Sequence, residues 1–92
     1  MRTIVYGPQA SGKTRNKDAL QAHYGHANVI DGAHRHHRSR KFRDDSGKTH
    51  TEIPRDVLIL TTMTERECQS FLAKHKVSAT VVSIEDALKE LG

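Results

Sequence analysis

Short apolar runs alternate with longer stretches in which apolar residues recur at helical spacing. Residues 2–6 predict a first strand, with Ile4, Val5 and Tyr6 as its buried run. A helix is expected from Lys13 to about Tyr24, with Ala19, Leu20 and Tyr24 on one face and Gly25 as its stop. Asn28-Val29-Ile30-Asp31 reads as a second strand ended by Gly32. Asp56 to Thr62 is the clearest strand, continuously apolar as expected when helices cover both faces of a sheet. Thr64-x-x-Glu67 forms a capping box opening a helix through about His75, with Phe71 and Leu72 on its apolar face. Ser78 to Val82 reads as the fourth strand. Ser83-x-x-Asp86 is a second capping box, opening a terminal helix carrying Ala87, Leu88 and Leu91.

The resulting order, β-α-β-loop-β-α-β-α, implies one α/β domain over residues 1–92. Its architecture is three-layered, a short, mostly parallel four-stranded sheet between helices with right-handed crossovers. Residues 33–54 fit neither period. They predict an irregular loop of about 20 residues, a length that in a compact domain marks function or disorder.

Composition narrows the picture. Only 35% of the 92 residues are hydrophobic and only four are aromatic (Tyr6, Tyr24, Phe42, Phe71), so the core must be aliphatic. One cysteine, Cys68, excludes an internal disulfide and fits a reducing compartment; inside its helix it reads as a small packing residue. No apolar run approaches the ~18 residues of a membrane span and the N-terminus does not resemble a signal peptide, so a cytoplasmic location is expected. The net charge of +4 sits in one place. Residues 34–48 hold six Lys/Arg and two Asp, while the remainder holds nine of each sign.

The chemistry is carried by Gly7-Pro8-Gln9-Ala10-Ser11-Gly12-Lys13-Thr14, which matches the G-x-x-x-x-G-K-[ST] phosphate-binding loop between a strand and a helix. In such a loop, glycines let backbone N–H groups converge on phosphate oxygens, assisted by the helix dipole. Lys13 is expected to reach the β- and γ-phosphates and Thr14 to ligate magnesium. Ser46-Gly47-Lys48-Thr49 repeats four of these letters. There, however, Phe42 stands at the first glycine position and no helix start follows, so this repeat is a decoy.

On these residues the chain resembles the P-loop NTPase superfamily. The resemblance is specific in the loop and topological elsewhere. It implies ATP or another nucleoside triphosphate with Mg²⁺ as ligands, and a strand ending in an acid that helps to hold the metal. In the branch with an inserted central strand, Asp31 matches that acid and Thr61 or Thr62 the polar sensor. The implied spatial order is strand 4, 1, 3, 2. The second acid, which orients the attacking water, would fall at Gly32. Hydrolysis is then expected to be weak or partner-dependent unless Glu52, Glu65 or a partner replaces it. A small kinase-like phosphotransferase is the first alternative. The second is a non-catalytic nucleic-acid-binding or regulatory accessory protein using ATP as a structural ligand.

The basic loop leaves several readings open. Arg35, Arg38, Arg40, Lys41 and Arg43 would give salt-sensitive phosphate contact with nucleic acid, Phe42 serving as a stacking residue. The same cations would serve a bound nucleotide, a partner protein or a second copy of the chain. His34, His36, His37 and His50 form no standard zinc spacing. The bland alternative is a solvated loop.

Overall fold

The computed structural model describes residues 1–35 and 41–92. Its principal sheet is four-stranded and wholly parallel. It is built from β1 (Arg2–Tyr6), β2 (Val29–Asp31), β6 (Val57–Thr61) and β7 (Thr80–Ser83) in the order β2-β6-β1-β7. This is the strand order implied by the inserted-central-strand topology. β1 is the hub, pairing with β6 from Arg2↔Val57 to Tyr6↔Thr61 and with β7 from Thr3↔Thr80 to Tyr6↔Ser83.

The period of two along each strand decides the layers. Ile4, Ile30, Val57 and Ile59 point to the face covered by α2 (Glu65–His75), where they meet Cys68, Phe71 and Leu72. Val5, Leu58 and Leu60 point the other way. They pack on Leu20 of α1 (Lys17–Tyr24) and on Ile84 and Ala87 of α3 (Ile84–Leu91). With both faces covered, β6 is apolar at every position from Val57 to Leu60 and is buried throughout. Cys68 is fully buried, which pushes its thiol up to about 11, and it packs as a small hydrophobe.

Two helix starts follow from side-chain caps. The Thr64 hydroxyl accepts from Glu67 N–H while the Glu67 carboxylate accepts from Thr64 N–H, the reciprocal box expected there. At Ser83 only half of the expected box forms: Ser83 Oγ accepts from Asp86 N–H at 3.2 Å, without the reciprocal bond. α1 differs from expectation. It begins at Lys17 rather than Lys13, with Asn16 at its N-cap. Residues 13–16 form a separate turn, closed by Asn16 N–H to Gly12 O (3.1 Å) and braced by Asn16 Nδ2 to the same carbonyl (2.7 Å). Ala19, expected on the apolar face, is exposed; Leu20 alone is fully buried in α1.

The larger departure lies in residues 33–54. In place of an irregular loop, β3 (His34–Arg35), β4 (Phe42–Arg43) and β5 (Thr49–His50) form a second, antiparallel sheet. Strands of two residues are too short to show a period. What fixes this insert is Phe42, which is 1% exposed and enters the α2-side core. It stands edge-on to Phe71 (centroids 5.1 Å) and stacks on His50 (5.0 Å). A base-stacking role for Phe42 is therefore ruled out. Ser46-Gly47-Lys48 lies in the β4–β5 turn and Thr49 begins β5, with no helix directly after them.

His26 ties β1 to Asp56, the residue just before β6. Its Nε2 lies 2.7 Å from Thr3 Oγ1 and its Nδ1 2.6 Å from Asp56 Oδ1, with the imidazole 1% exposed. Asp56 also accepts from Ala27 N–H. The His26 bond, followed by the Ala27 amide, holds the Asp56 carboxyl below the usual range. A depressed carboxylate contributes stability above its unfolded pKa of ~3.9, and that stability is lost as pH falls through the lower folded value. His26→Ala is expected to cost about 1–3 kcal/mol, since it leaves the buried Thr3 hydroxyl without its partner. Acid melts below about pH 4 should show a shallower pH dependence in the variant than in the wild type.

Candidate functional site

At the carboxyl ends of β1, β2 and β6 a cavity of about 550 Å³ opens, within the range of small-molecule sites. In open parallel sheets this edge is where ligands sit. Three chain segments line the cavity: Gln9 to Arg15 after β1, Asp31 and Gly32 at the end of β2, and Thr61 and Thr62 at the end of β6. His34 and Asp45 reach it from the insert.

The loop after β1 is shaped by backbone conformations that most side chains avoid. Gly12 has φ +94° and Ala10 φ +60°. Gly7 is needed for a different reason: a Cβ there would lie 2.5 Å from Cγ2 of Ile84, the first residue of α3. The N–H groups of Gly12, Lys13 and Thr14 find no acceptor among the described residues. Lys13 closes the loop on itself. Its Nζ donates to Gly7 O (2.7 Å), Pro8 O (2.7 Å) and Ser11 Oγ (3.0 Å), with the residue 8% exposed. Burial lowers the Lys13 pKa, and the Asp31 and Asp45 carboxylates pull in the opposite direction. Unpaired amides beside a buried ammonium make a receptor for an anion.

Thr14 Oγ1 donates to Asp31 Oδ1 at 3.1 Å, across 17 residues of sequence. A hydroxyl and a carboxylate side by side are the oxygen donors that a hard divalent cation takes. Among the described residues no three His, Cys, Asp or Glu side chains converge as a metal site of their own. His34 and His50 are instead separated on different Asp partners, Asp45 and Asp44. His36 and His37 lie outside the described residues.

The two threonines of β6 part company. Thr61 is fully buried, its hydroxyl donating to Ala33 O (2.8 Å) and accepting from Met63 N–H (3.1 Å). Thr62 is exposed at the cavity. Of the acids considered as replacements for the position at Gly32, neither lines this cavity. Glu52 borders a separate one with Thr49 to Arg55, and Glu65 accepts from Tyr6 Oη at the start of α2.

Among the basic residues of the insert, Lys41 and Arg43 are exposed and neither lines the cavity. Arg38 and Arg40 lie outside the described residues, as does the side chain of Arg35. Arg15 and Asp45 line the cavity although no motif marked them. Arg15 follows the glycine loop directly. Asp45 looks in the sequence like an ordinary turn residue before Ser46-Gly47. Among the described residues, no helix is long and apolar enough to cross a membrane. Comparison of the chain with protein-family models, with curated proteins and with solved structures found no match in any of the three.

Proposed function

We propose that this protein is a cytoplasmic P-loop domain that binds a nucleoside triphosphate, ATP with Mg²⁺, through residues 7–14, with weak or partner-dependent hydrolysis. The observation that carries the reading is the Thr14–Asp31 hydrogen bond of 3.1 Å, inside the cavity that the glycine loop and Lys13 line. The loop motif and the acid at the end of β2 are independent features of the sequence, and they meet at one point. In this reading the Gly12, Lys13 and Thr14 amides and Lys13 Nζ hold the phosphates. Thr14 and Asp31 would hold the metal, which would supply charge neutralisation at the phosphates. Thr62 is the cavity-facing polar group at the end of the central strand.

Equilibrium binding of a fluorescent ATP analogue, with and without Mg²⁺, tests this. Wild-type protein is expected to bind more tightly with the metal, and unlabelled ATP to displace the probe. Thr14→Val, which keeps the shape of the side chain and removes the hydroxyl, should bind with little dependence on Mg²⁺. Wild-type binding that ignores Mg²⁺, or no binding at all, contradicts the reading.

A further inference from the structure

Gly32 follows Asp31 at the mouth of the cavity with φ +78°, and the tip of the β4–β5 turn lies directly over it. A Cβ built on Gly32 would lie 2.0 Å from Asp45 Cγ and 2.1 Å from each of its carboxylate oxygens. The Asp45 carboxylate therefore fills the space that a side chain at position 32 would take. Its position is held from two sides. Asp45 N–H donates to Asp31 O at 2.9 Å, and Asp45 Oδ1 lies 2.8 Å from His34 Nε2. Asp44 stiffens the turn below, accepting from Ser46 Oγ (2.5 Å), Ser46 N–H (2.9 Å), Lys48 N–H (3.1 Å) and His50 Nε2 (2.8 Å). Four donors on one side chain make the turn a fixed platform.

We infer that Asp45, steadied by His34, orients a water molecule for attack on the terminal phosphate of the bound nucleoside triphosphate, replacing from the insert the side chain that Gly32 lacks. The inference rests on the nucleotide-binding reading above. In the step, the water oxygen forms a new bond to the terminal phosphorus as the bond from that phosphorus to the bridging oxygen breaks. The bond's electron pair leaves with the nucleoside diphosphate. The water proton that faces Asp45 in the approach leaves with orthophosphate. Asp45 is suited to the task because it lines the same cavity as Lys13, Thr14 and Asp31, whereas Glu52 and Glu65 do not. His34 is the positioning residue, its imidazole fixing which way the carboxylate faces.

The test uses the full chain. Asp45→Asn keeps the size of the side chain and the backbone bond to Asp31. Its rate of phosphate release from ATP at saturation is expected to fall ~10²–10⁴-fold, with affinity for the fluorescent ATP analogue retained. His34→Gln should give a smaller fall of the same kind. The juxtaposition has its own readout in melting temperature. Gly32→Ala should destabilise the native chain and cost clearly less when combined with Asp45→Gly, which removes the colliding carboxylate. Unchanged release in Asp45→Asn overturns the inference alone. So does equal loss of release and affinity, a wild type that binds ATP without hydrolysing it, or additive effects at positions 32 and 45. A wild type that binds no nucleotide overturns this inference and the reading beneath it together.

Discussion

Replacing Phe42 with alanine should lower the free energy of unfolding by about 3–5 kcal/mol, the usual cost of truncating a buried aromatic. The site is a basic run, where a sequence reading places an exposed side chain. Yet Phe42 is 1% exposed and sits against Phe71, His50 and His75. The chain has only four aromatic residues, and two of them meet at this contact. A domain of this size has about 5–15 kcal/mol of stability in all, so the loss is a large share of it. Urea denaturation measures the effect as a shift of the midpoint. Arg43→Ala, one position further on and exposed, should change stability by no more than about 0.5 kcal/mol. Equal effects at the two positions would mean that the insert does not dock through Phe42. The contact also matters for the site, since the strands flanking Phe42 carry His34 and the turn bearing Asp45.

The second large effect is expected at Lys13. Lys13→Ala removes three hydrogen bonds that draw the loop around one ammonium, and with them the only basic side chain whose three bonds all lie within residues 7–13 among the described residues. Of the residues carrying the released acceptors, Pro8 is exposed and Gly7 and Ser11 are half-buried, so water can replace the lost donor. The two core clusters do not include Lys13, so the fold itself should persist. What should vanish is the response to nucleotide. Charge-assisted bonds to phosphate are roughly twice as strong as neutral ones, and the amides alone do not replace them. Isothermal titration of Mg-ATP into the folded variant should give no measurable heat at concentrations that saturate the wild type.

Much of this arrangement is legible in the sequence because it is local. The glycine loop is contiguous, and β6 announces itself by an unbroken apolar run that only a doubly covered strand tolerates. The Thr64 box states where α2 begins, because its two bonds involve residues three apart. Thr14 and Asp31 come together because β1 and β2 both run parallel to β6 between them, which puts their carboxyl ends on one edge of the sheet. The insert is illegible for a physical reason. Two-residue strands carry no period, and their stability comes from one buried ring and one turn rather than from a pattern. Asp45 is missed for the same reason, because its neighbours Gly32 and His34 come to it across the hairpin. The late start of α1 is likewise hidden. Thr14 to Asn16 are compatible with a helix by propensity, and the break comes from Asn16 turning back to Gly12 O.

Thermal melting of wild type and Lys13→Ala, with and without Mg-ATP, tests directly the proposal that residues 7–14 hold a nucleoside triphosphate. At a nucleotide concentration 100 times Kd, binding stabilises the wild type by about 2.7 kcal/mol, which in a domain of this size raises Tm on the order of 10 °C. If the proposal holds, Tm rises by that amount in the wild type and does not move in Lys13→Ala. Equal shifts in both proteins, or no shift in either, would contradict it.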